Sequence, residues 1–404
     1  MLSVSEALDR ILAEVKTLPA EQVALPAAAG RVVAGDVVAR IDHPPFRASA
    51  MDGYAVRFED AKAGARLRLL GEAAAGAPFA RKIGAGEAVR IFTGGAVPDG
   101  ADHIVIQEEA RAEGAEIVVT APQPARANIR EAGIDFRAWS TLKARGARLS
   151  PIDLGLIAAA NFAAVDATRK PIVAYFDNGD ELVEPGAGLR AGQIVGSNRF
   201  AMDGLIAHWG GAPYYLGRAG DNLAAVAQKF EEARKADIIV AVGGASVGEH
   251  DHARRAFEYA GGTIIFSKVA VKPGKPTWFG RLNSALVLGL PGNPASAIVC
   301  SILFLRPLMA TLEGEGNGAH GFVRARLATP IKANGAREAY LRGALTVDPS
   351  AVLTVTPFAK EDSSLFSPLA MGNCLIRCAA SAPAALAGDL ADCIVYKSFP
   401  DSGP

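Results

Sequence analysis

The sequence predicts a multi-domain α/β plus β protein: a central, doubly wound α/β domain with all-β modules before and after it. Three observations carry that expectation. At 404 residues the chain exceeds what one hydrophobic core organises, since domains run to about 100–200 residues. Over residues 171–312 strand-like and helix-like segments alternate, and such alternation builds a mostly parallel sheet covered on both faces. On either side of that stretch, short β-prone runs are separated by Gly and Pro.

Half of the residues are apolar and 21% are charged, which supplies packed interiors and excludes general disorder. Lys plus Arg and Asp plus Glu each total 42. No net charge therefore draws the chain to nucleic acid or to an anionic membrane surface, and any anion binding must be local. The N-terminus has no basic stretch leading into a long apolar run, and no segment approaches about 18 uninterrupted apolar residues. A cytoplasmic protein is expected. Cys300, Cys374, Cys378 and Cys393 form no CxxC pair, and only six histidines exist to complete a zinc site, so reduced, buried thiols are expected.

Along the chain, Ser3 and Glu6 have capping-box spacing, and Ala7, Leu8, Ile11, Leu12 and Val15 then recur at helical intervals. Residues 41–137 read as an all-β module with strands near 66–70, 89–92, 103–107 and 117–120. Ser150 followed by Pro151 is an N-cap with Pro at the first helical position, and a helix is expected over 152–160. In the α/β part, strands are expected at 172–176, 213–216, 238–242, 263–269 and 286–290, and helices at 198–209, 223–235 and 252–259, with Ser197 and Asp221 as N-caps. After a Gly-rich linker at 313–318, strands at 323–327, 340–345, 353–355, 374–378 and 393–396 predict a small β-barrel or sandwich.

Open α/β sheets bind ligands beyond the carboxyl ends of their strands, and four loops there are chemically unusual. The first strand runs into Asp177, Asn178, Gly179, Asp180 and Glu181, which reads equally as a solvated turn or a site. The strand at 238–242 runs into Gly243-Gly244-Ala245-Ser246-Val247-Gly248-Glu249-His250-Asp251. Three glycines let backbone N–H groups face an anion, and Ser246 adds a hydroxyl ahead of a helix start. This is neither GxGxxG nor GxxxxGK[ST]. Neighbouring His250, Asp251 and His252 point in different directions, so Asp251 alone is the functional candidate. Asp251 and Glu181 are candidates to hold a magnesium ion beside a phosphate or to position an oxyanion. Lys272-Pro273-Gly274-Lys275-Pro276 holds two cations in a stiff loop, which loses little entropy on binding. Pro291, Gly292, Asn293 and Pro294 lead into a helix with Asn293 as N-cap and offer free N–H groups. In the β module, the segments around Asp52, Thr93 and Asp135 read on spacing alone as turns between strands.

Taken together, SAMDGYA, IFTGGAVPDGAD, NIREAG, GDEL, GSNR, GGASVGEHD, VKPGKP and GLPGNPASA, in this order over nearly the whole chain, resemble the MoeA family of molybdopterin molybdenumtransferases, which includes the E domain of gephyrin. The resemblance implies four parts: a discontinuous helical part (1–40 and 138–170), an inserted β module (41–137), an α/β domain like that of molybdopterin adenylyltransferases (171–317), and a C-terminal β-barrel (318–404). It implies an elongated homodimer that inserts molybdate into the dithiolene of adenylylated molybdopterin, releasing AMP with magnesium or zinc assistance. Asp52, Thr93 and Asp135 would face the α/β pocket of the partner subunit. Glu181, Asp221 and Asp251 would be the pocket carboxylates. Gly243, Gly244, Ser246, Gly248, Lys272, Lys275 and the Pro291–Pro294 loop would hold phosphate and molybdate. A separate molybdopterin adenylyltransferase would supply the substrate, and molybdoenzyme apoproteins or their chaperones would take the product; nucleic acid and membrane are not expected partners. The chain departs from the family's pattern where Asp177-Asn178 replaces Ser-Thr and where Ile134 replaces an acidic residue. The competing expectations are an adenylyltransferase, which the single α/β domain disfavours, and a receptor-binding scaffold, which would not need the carboxylates and lysines.

Overall fold

The computed structural model describes residues 1–244, 252–316, 321–348 and 351–397. Its centre is the α/β domain, made of β1 (Ile172–Asn178), α1 (Asn198–His208), β2 (Ala212–Ala219), α2 (Leu223–Glu232), β3 (Ile238–Val242), α3 (His252–Tyr259), β4 (Thr263–Phe266), β5 (Trp278–Leu282) and β6 (Ala285–Leu290). The strands lie in the order β2-β1-β3-β6-β5-β4. The first four run parallel, and β5 and β4 add an antiparallel edge.

Side chains alternate between two cores as the two-residue strand period requires. Val173, Tyr175, Ile238 and Val240 face one cluster, and Ala174, Phe176, Ile239 and Ala241 face the other. The hairpin strand β5 has no counterpart among the expected elements. Leu282 pairs with Ala285, so only Asn283 and Ser284 separate two apolar runs, and Asn283 takes φ 55°, as tight hairpins require. The same hairpin explains why β4 stops at Phe266 rather than continuing to 269.

After β6, one continuous helix is built of α4 (Pro294–Cys300), a π-helical stretch (Ser301–Leu305) and α5 (Arg306–Leu312). Pro307 lacks an N–H, and the wider π turn lets the helix pass it. Among the described residues this is the one helix long and apolar enough to cross a membrane, and it lies almost entirely in the core. The capped helix Val4–Ala13 buries Val4, Ala7 and Ile11 in that same core.

Strand Ala20–Ala24 pairs with Ala164–Thr168, and Val37–Val38 with Thr141–Lys143, so the chain leaves for the β module and returns to the same place. The module's six-stranded sheet includes Gly53–Val56 and Ala110–Glu113, which short length and missing alternation hid in the sequence. The segment around Asp52 is a turn between two strands, as its spacing reads: it links Ala48–Ser49, which pairs with Ile129–Arg130, to Gly53–Val56.

The C-terminal strands Phe322–Leu327, Glu338–Val347, Leu353–Pro357, Cys374–Cys378 and Leu390–Val395 close on themselves as a five-stranded barrel. A further short strand, Val271–Lys272, joins the barrel in parallel with Glu338 and Ala339. The loop carrying the two lysines is thereby stitched to the barrel as well as to the sheet.

Candidate functional site

Beyond the carboxyl ends of β1, β3 and β6 lies a cavity of about 830 Å³. Its walls come from the two domains that meet there: the sheet ends and α1 on one side, the Lys272–Pro276 loop and the barrel on the other.

Of the residues expected from the sequence, Glu181, Lys272, Lys275, Pro291, Gly292, Asn293 and Pro294 line this cavity. Gly243 and Gly244 stand directly after the cavity-lining Val242. Both adopt left-handed φ, 90° and 66°. A Cβ at Gly243 would come within 2.6 Å of the Asn178 carbonyl, and one at Gly244 would overlap the Asn178 amide. Glycine is needed here for close approach to β1. Ser246, Gly248 and Asp251 lie outside the described residues.

Asp221 does not line the cavity. Its carboxylate accepts from the Asp180 N–H at 3.1 Å, and the N-cap of α2 is Asn222, whose Oδ1 accepts from the Ala225 N–H at 2.9 Å. The expected cap is thus one residue off: Asn222 takes the extended backbone that an N-cap requires. Ser197 occupies the N-cap position of α1 but makes no side-chain cap bond. Asn293 likewise sits at the N-cap of α4 without capping it. Its Nδ2 donates instead to Ser363 Oγ at 3.0 Å, and the Ala295 N–H donates to the Ser363 carbonyl at 3.0 Å. That end of the helix is therefore tied to the barrel, and the Ala295 N–H is not free.

Asp52, Thr93 and Asp135 do not line the cavity of their own chain. Asp52 Oδ1 accepts from both the Thr93 N–H at 2.8 Å and the Thr93 hydroxyl at 2.7 Å, and these two bonds hold its carboxyl below the usual carboxylate range. The Asp135 N–H donates to the His43 carbonyl at 3.1 Å.

The lysine loop is as stiff as its composition predicts. Gly274 packs so tightly on Cys300 that a Cβ would overlap the sulfur. Thr277 donates to the Gly274 carbonyl at 2.7 Å, and the Val269 N–H donates to the Lys275 carbonyl at 3.1 Å. Lys272 pairs with Glu361 across the domain boundary at 2.8 Å. Lys275 has no ion-pair partner among the described residues, which leaves a fixed cation for a ligand.

Arg337, Glu361, Ser363 and Ser364 also line the cavity without a signal strong enough to single them out in the sequence, and Asn198 stood out there only as part of the GSNR motif. The first four come from the barrel, and the polar run at 360–364 between two apolar segments was the one signal for Glu361, Ser363 and Ser364. That run is shaped by the buried Arg342, whose Nη2 donates to the carbonyls of Lys360 at 2.9 Å and Asp362 at 3.2 Å. Arg337 Nη1 donates to the Val271 carbonyl at 3.1 Å, so one more cation stands beside the lysine loop.

The sheet side is rich in hydrogen-bond acceptors. Asp177 is 4% exposed, and burial pushes its carboxyl up to about 6 despite a 3.3 Å hydrogen bond donated by Tyr215 and the nearby Arg199. Asn178 and Asn198 are also buried. Asn198 Nδ2 donates to the Gly292 carbonyl at 2.8 Å. Cations from the lysine loop and the barrel thus oppose acceptors from β1 and α1, an arrangement suited to a ligand that is anionic at one end and carries N–H donors at the other.

Comparison with known proteins places the chain. Residues 2–161 match the MoeA N-terminal region (domain I and II), 177–311 a probable molybdopterin binding domain, and 324–396 the MoeA C-terminal region (domain IV). A molybdopterin molybdenumtransferase of Haemophilus influenzae is 35% identical over 381 residues, covering 93% of this chain and 94% of its own. One from Nostoc is 35% identical over 336 residues, covering 80% and 77%. The crystal structure of a molybdopterin biosynthesis MoeA protein from Pyrococcus horikoshii superposes with a TM-score of 0.84 at 28% identity, covering 99% of this chain and all of that one.

Proposed function

Because the chain belongs to the MoeA family of molybdopterin molybdenumtransferases, we propose that its interdomain cavity seats adenylylated molybdopterin together with molybdate, inserts the molybdenum into the dithiolene and releases AMP. The observation that carries this reading is the convergence of Lys272, Lys275 and Arg337 on one cavity whose opposite wall offers Asp177, Asn178 and Glu181. The cations would neutralise the pyrophosphate and the molybdate, two anions that otherwise repel each other. A stiff loop bound on both sides supplies that neutralisation without reorganising, which is how fixed charges lower a barrier. No covalent nucleophile is required.

Magnesium fits this site only in its usual phosphate-bound manner. Among the described residues no cluster of three or more His, Cys, Asp or Glu exists. Magnesium beside phosphates needs only one or two carboxylates, and Glu181 would hold it while the ion offsets phosphate charge. Asp251 is the second carboxylate proposed for that role. Asp52, Thr93 and Asp135 would complete the site from a second subunit of a homodimer, with the Asp52–Thr93 bonds presenting the carboxylate ready-formed. A cytoplasmic location, substrate supply by a separate adenylyltransferase and delivery to molybdoenzyme apoproteins or their chaperones belong to the same reading.

The test is AMP release. Wild-type protein incubated with adenylylated molybdopterin should release AMP when molybdate is added, measured by chromatography; release that ignores molybdate, or none at all, would overturn the assignment.

A further inference from the structure

Two asparagines in the cavity are buried without being satisfied. Asn178 is 6% exposed and Asn198 is 9% exposed, and both line the cavity. Neither Oδ1 nor Nδ2 of Asn178 has a hydrogen-bond partner among the described residues, nor has Oδ1 of Asn198. Buried amide atoms are almost always paired, and leaving them unpaired costs stability. Both side chains are nevertheless held in place. Asn198 is tethered through Nδ2 to the Gly292 carbonyl at 2.8 Å, and Asn178 is backed by the Gly243–Gly244 turn, where the lack of side chains makes room for it.

We propose that Asn178 and Asn198 read the amino-substituted pyrimidine edge of the ligand, a pattern shared by a pterin and an adenine. The inference rests on the reading of the cavity as a molybdopterin-nucleotide site. Phosphate and molybdate carry oxygen acceptors and cannot satisfy two amide oxygens, so the oxyanions belong with Lys272, Lys275 and Arg337. The exocyclic amino group, joined in a pterin by a ring N–H, supplies the missing donors, and a ring nitrogen or carbonyl accepts from Asn178 Nδ2. Asn178 stands where the family's pattern has Thr, and a hydroxyl cannot present separate donor and acceptor atoms in one plane as an amide does.

Calorimetric titration of AMP, molybdopterin and molybdate into the wild type and the Asn178→Leu variant tests this. The affinity of the variant should fall about tenfold for at least one heterocyclic ligand, about one lost neutral hydrogen bond, and whichever ring loses affinity is the one read. Molybdate affinity should stay within about twofold, and the melting temperature should hold or rise, because an unpaired buried amide has been removed. Unchanged affinity for both heterocycles overturns the proposal. So does a matching loss of molybdate affinity with a lowered melting temperature, which marks a purely structural residue. Asn178→Thr, the milder variant, should show the same split. A wild type that binds neither AMP nor molybdopterin would instead bring down the functional reading beneath it.

Discussion

Replacing Asp177 with Asn should stabilise the protein at pH 8 and change it little near pH 4. In the folded chain the Asp177 carboxyl is raised from 3.8 to about 6, so the folded state binds this proton more tightly than the unfolded state does. Stability therefore falls as pH rises through the window from about 4 to 6, and above it the full cost of the buried charge is present. The difference of about 2 units corresponds to about 3 kcal/mol. The residue is only 4% exposed, so solvent screening reduces that figure little. Asn keeps the shape, and its carbonyl still accepts from the Tyr215 hydroxyl. Asp177→Asn should accordingly gain up to about 3 kcal/mol at pH 8, shrinking below about 1 kcal/mol at pH 4. For a domain of this size that is roughly 5–10 °C in melting temperature at the higher pH. Trp209 and Trp278 are buried in the same domain, and their fluorescence on heating at pH 4, 6 and 8 reads it directly. A shift equal at pH 4 and pH 8 would refute the titration argument, and so would a destabilised variant at pH 8.

Three further outcomes follow from the geometry. Lys275→Ala removes a cation that no described residue pairs with, so its stability should stay within about 0.5 kcal/mol of wild type, while molybdate-dependent AMP release slows by about a hundredfold. If the site is shared between subunits, mixing inactive Asp52→Ala and Lys275→Ala proteins should restore about a quarter of wild-type activity, because half of randomly re-formed dimers then hold one intact site; no recovery after exchange confirmed by mass spectrometry rejects the shared site. Gly274→Ala must fit a Cβ against Cys300 at φ 119°, which should cost about 2 kcal/mol or more in urea unfolding and loosen the lysine loop enough to raise the KM for molybdate.

The elements that the sequence made legible are those with strong local signals. β3 is apolar at every position because both its faces are buried, the helix Val4–Ala13 announces itself by its capping box, and the five barrel strands fell where β-prone runs lie between turn residues. The loops after β1, β3 and β6 could be named as a site because sheet topology delivers strand ends to one edge. What stayed hidden depends on contacts distant in sequence. Arg337, Glu361, Ser363 and Ser364 reach the cavity through contacts between the barrel and the α/β domain, among them the pairing of Val271–Lys272 with the barrel and the Asn293–Ser363 bond, and no local pattern encodes a two-residue strand. The burial that shifts Asp177 was equally invisible, since Tyr215 meets it across neighbouring strands.

Where the unpaired groups sit is itself informative. Among the described residues, buried polar atoms without a partner occur on Asn178, Asn198 and Arg199, which line the large cavity or the adjoining space of about 420 Å³ beside Asp177, Tyr215 and Arg218, and also on Arg31, Trp278, Glu313 and Arg342 elsewhere. Those of Asn178, Asn198 and Arg199 lie together at one sheet edge, next to a carboxyl whose burial is itself unfavourable. The fold can carry this cost because the sheet stands on the long buried helix Pro294–Leu312 and is held to the barrel by the lysine loop. A ligand that pairs these atoms recovers the cost on binding, so part of its affinity is stability that the empty protein lacks. The substitution that best stabilises the empty protein, at Asp177 or Asn178, should therefore be one that weakens the site, and stability and ligand affinity should move in opposite directions at these two positions while they move together in the surrounding core.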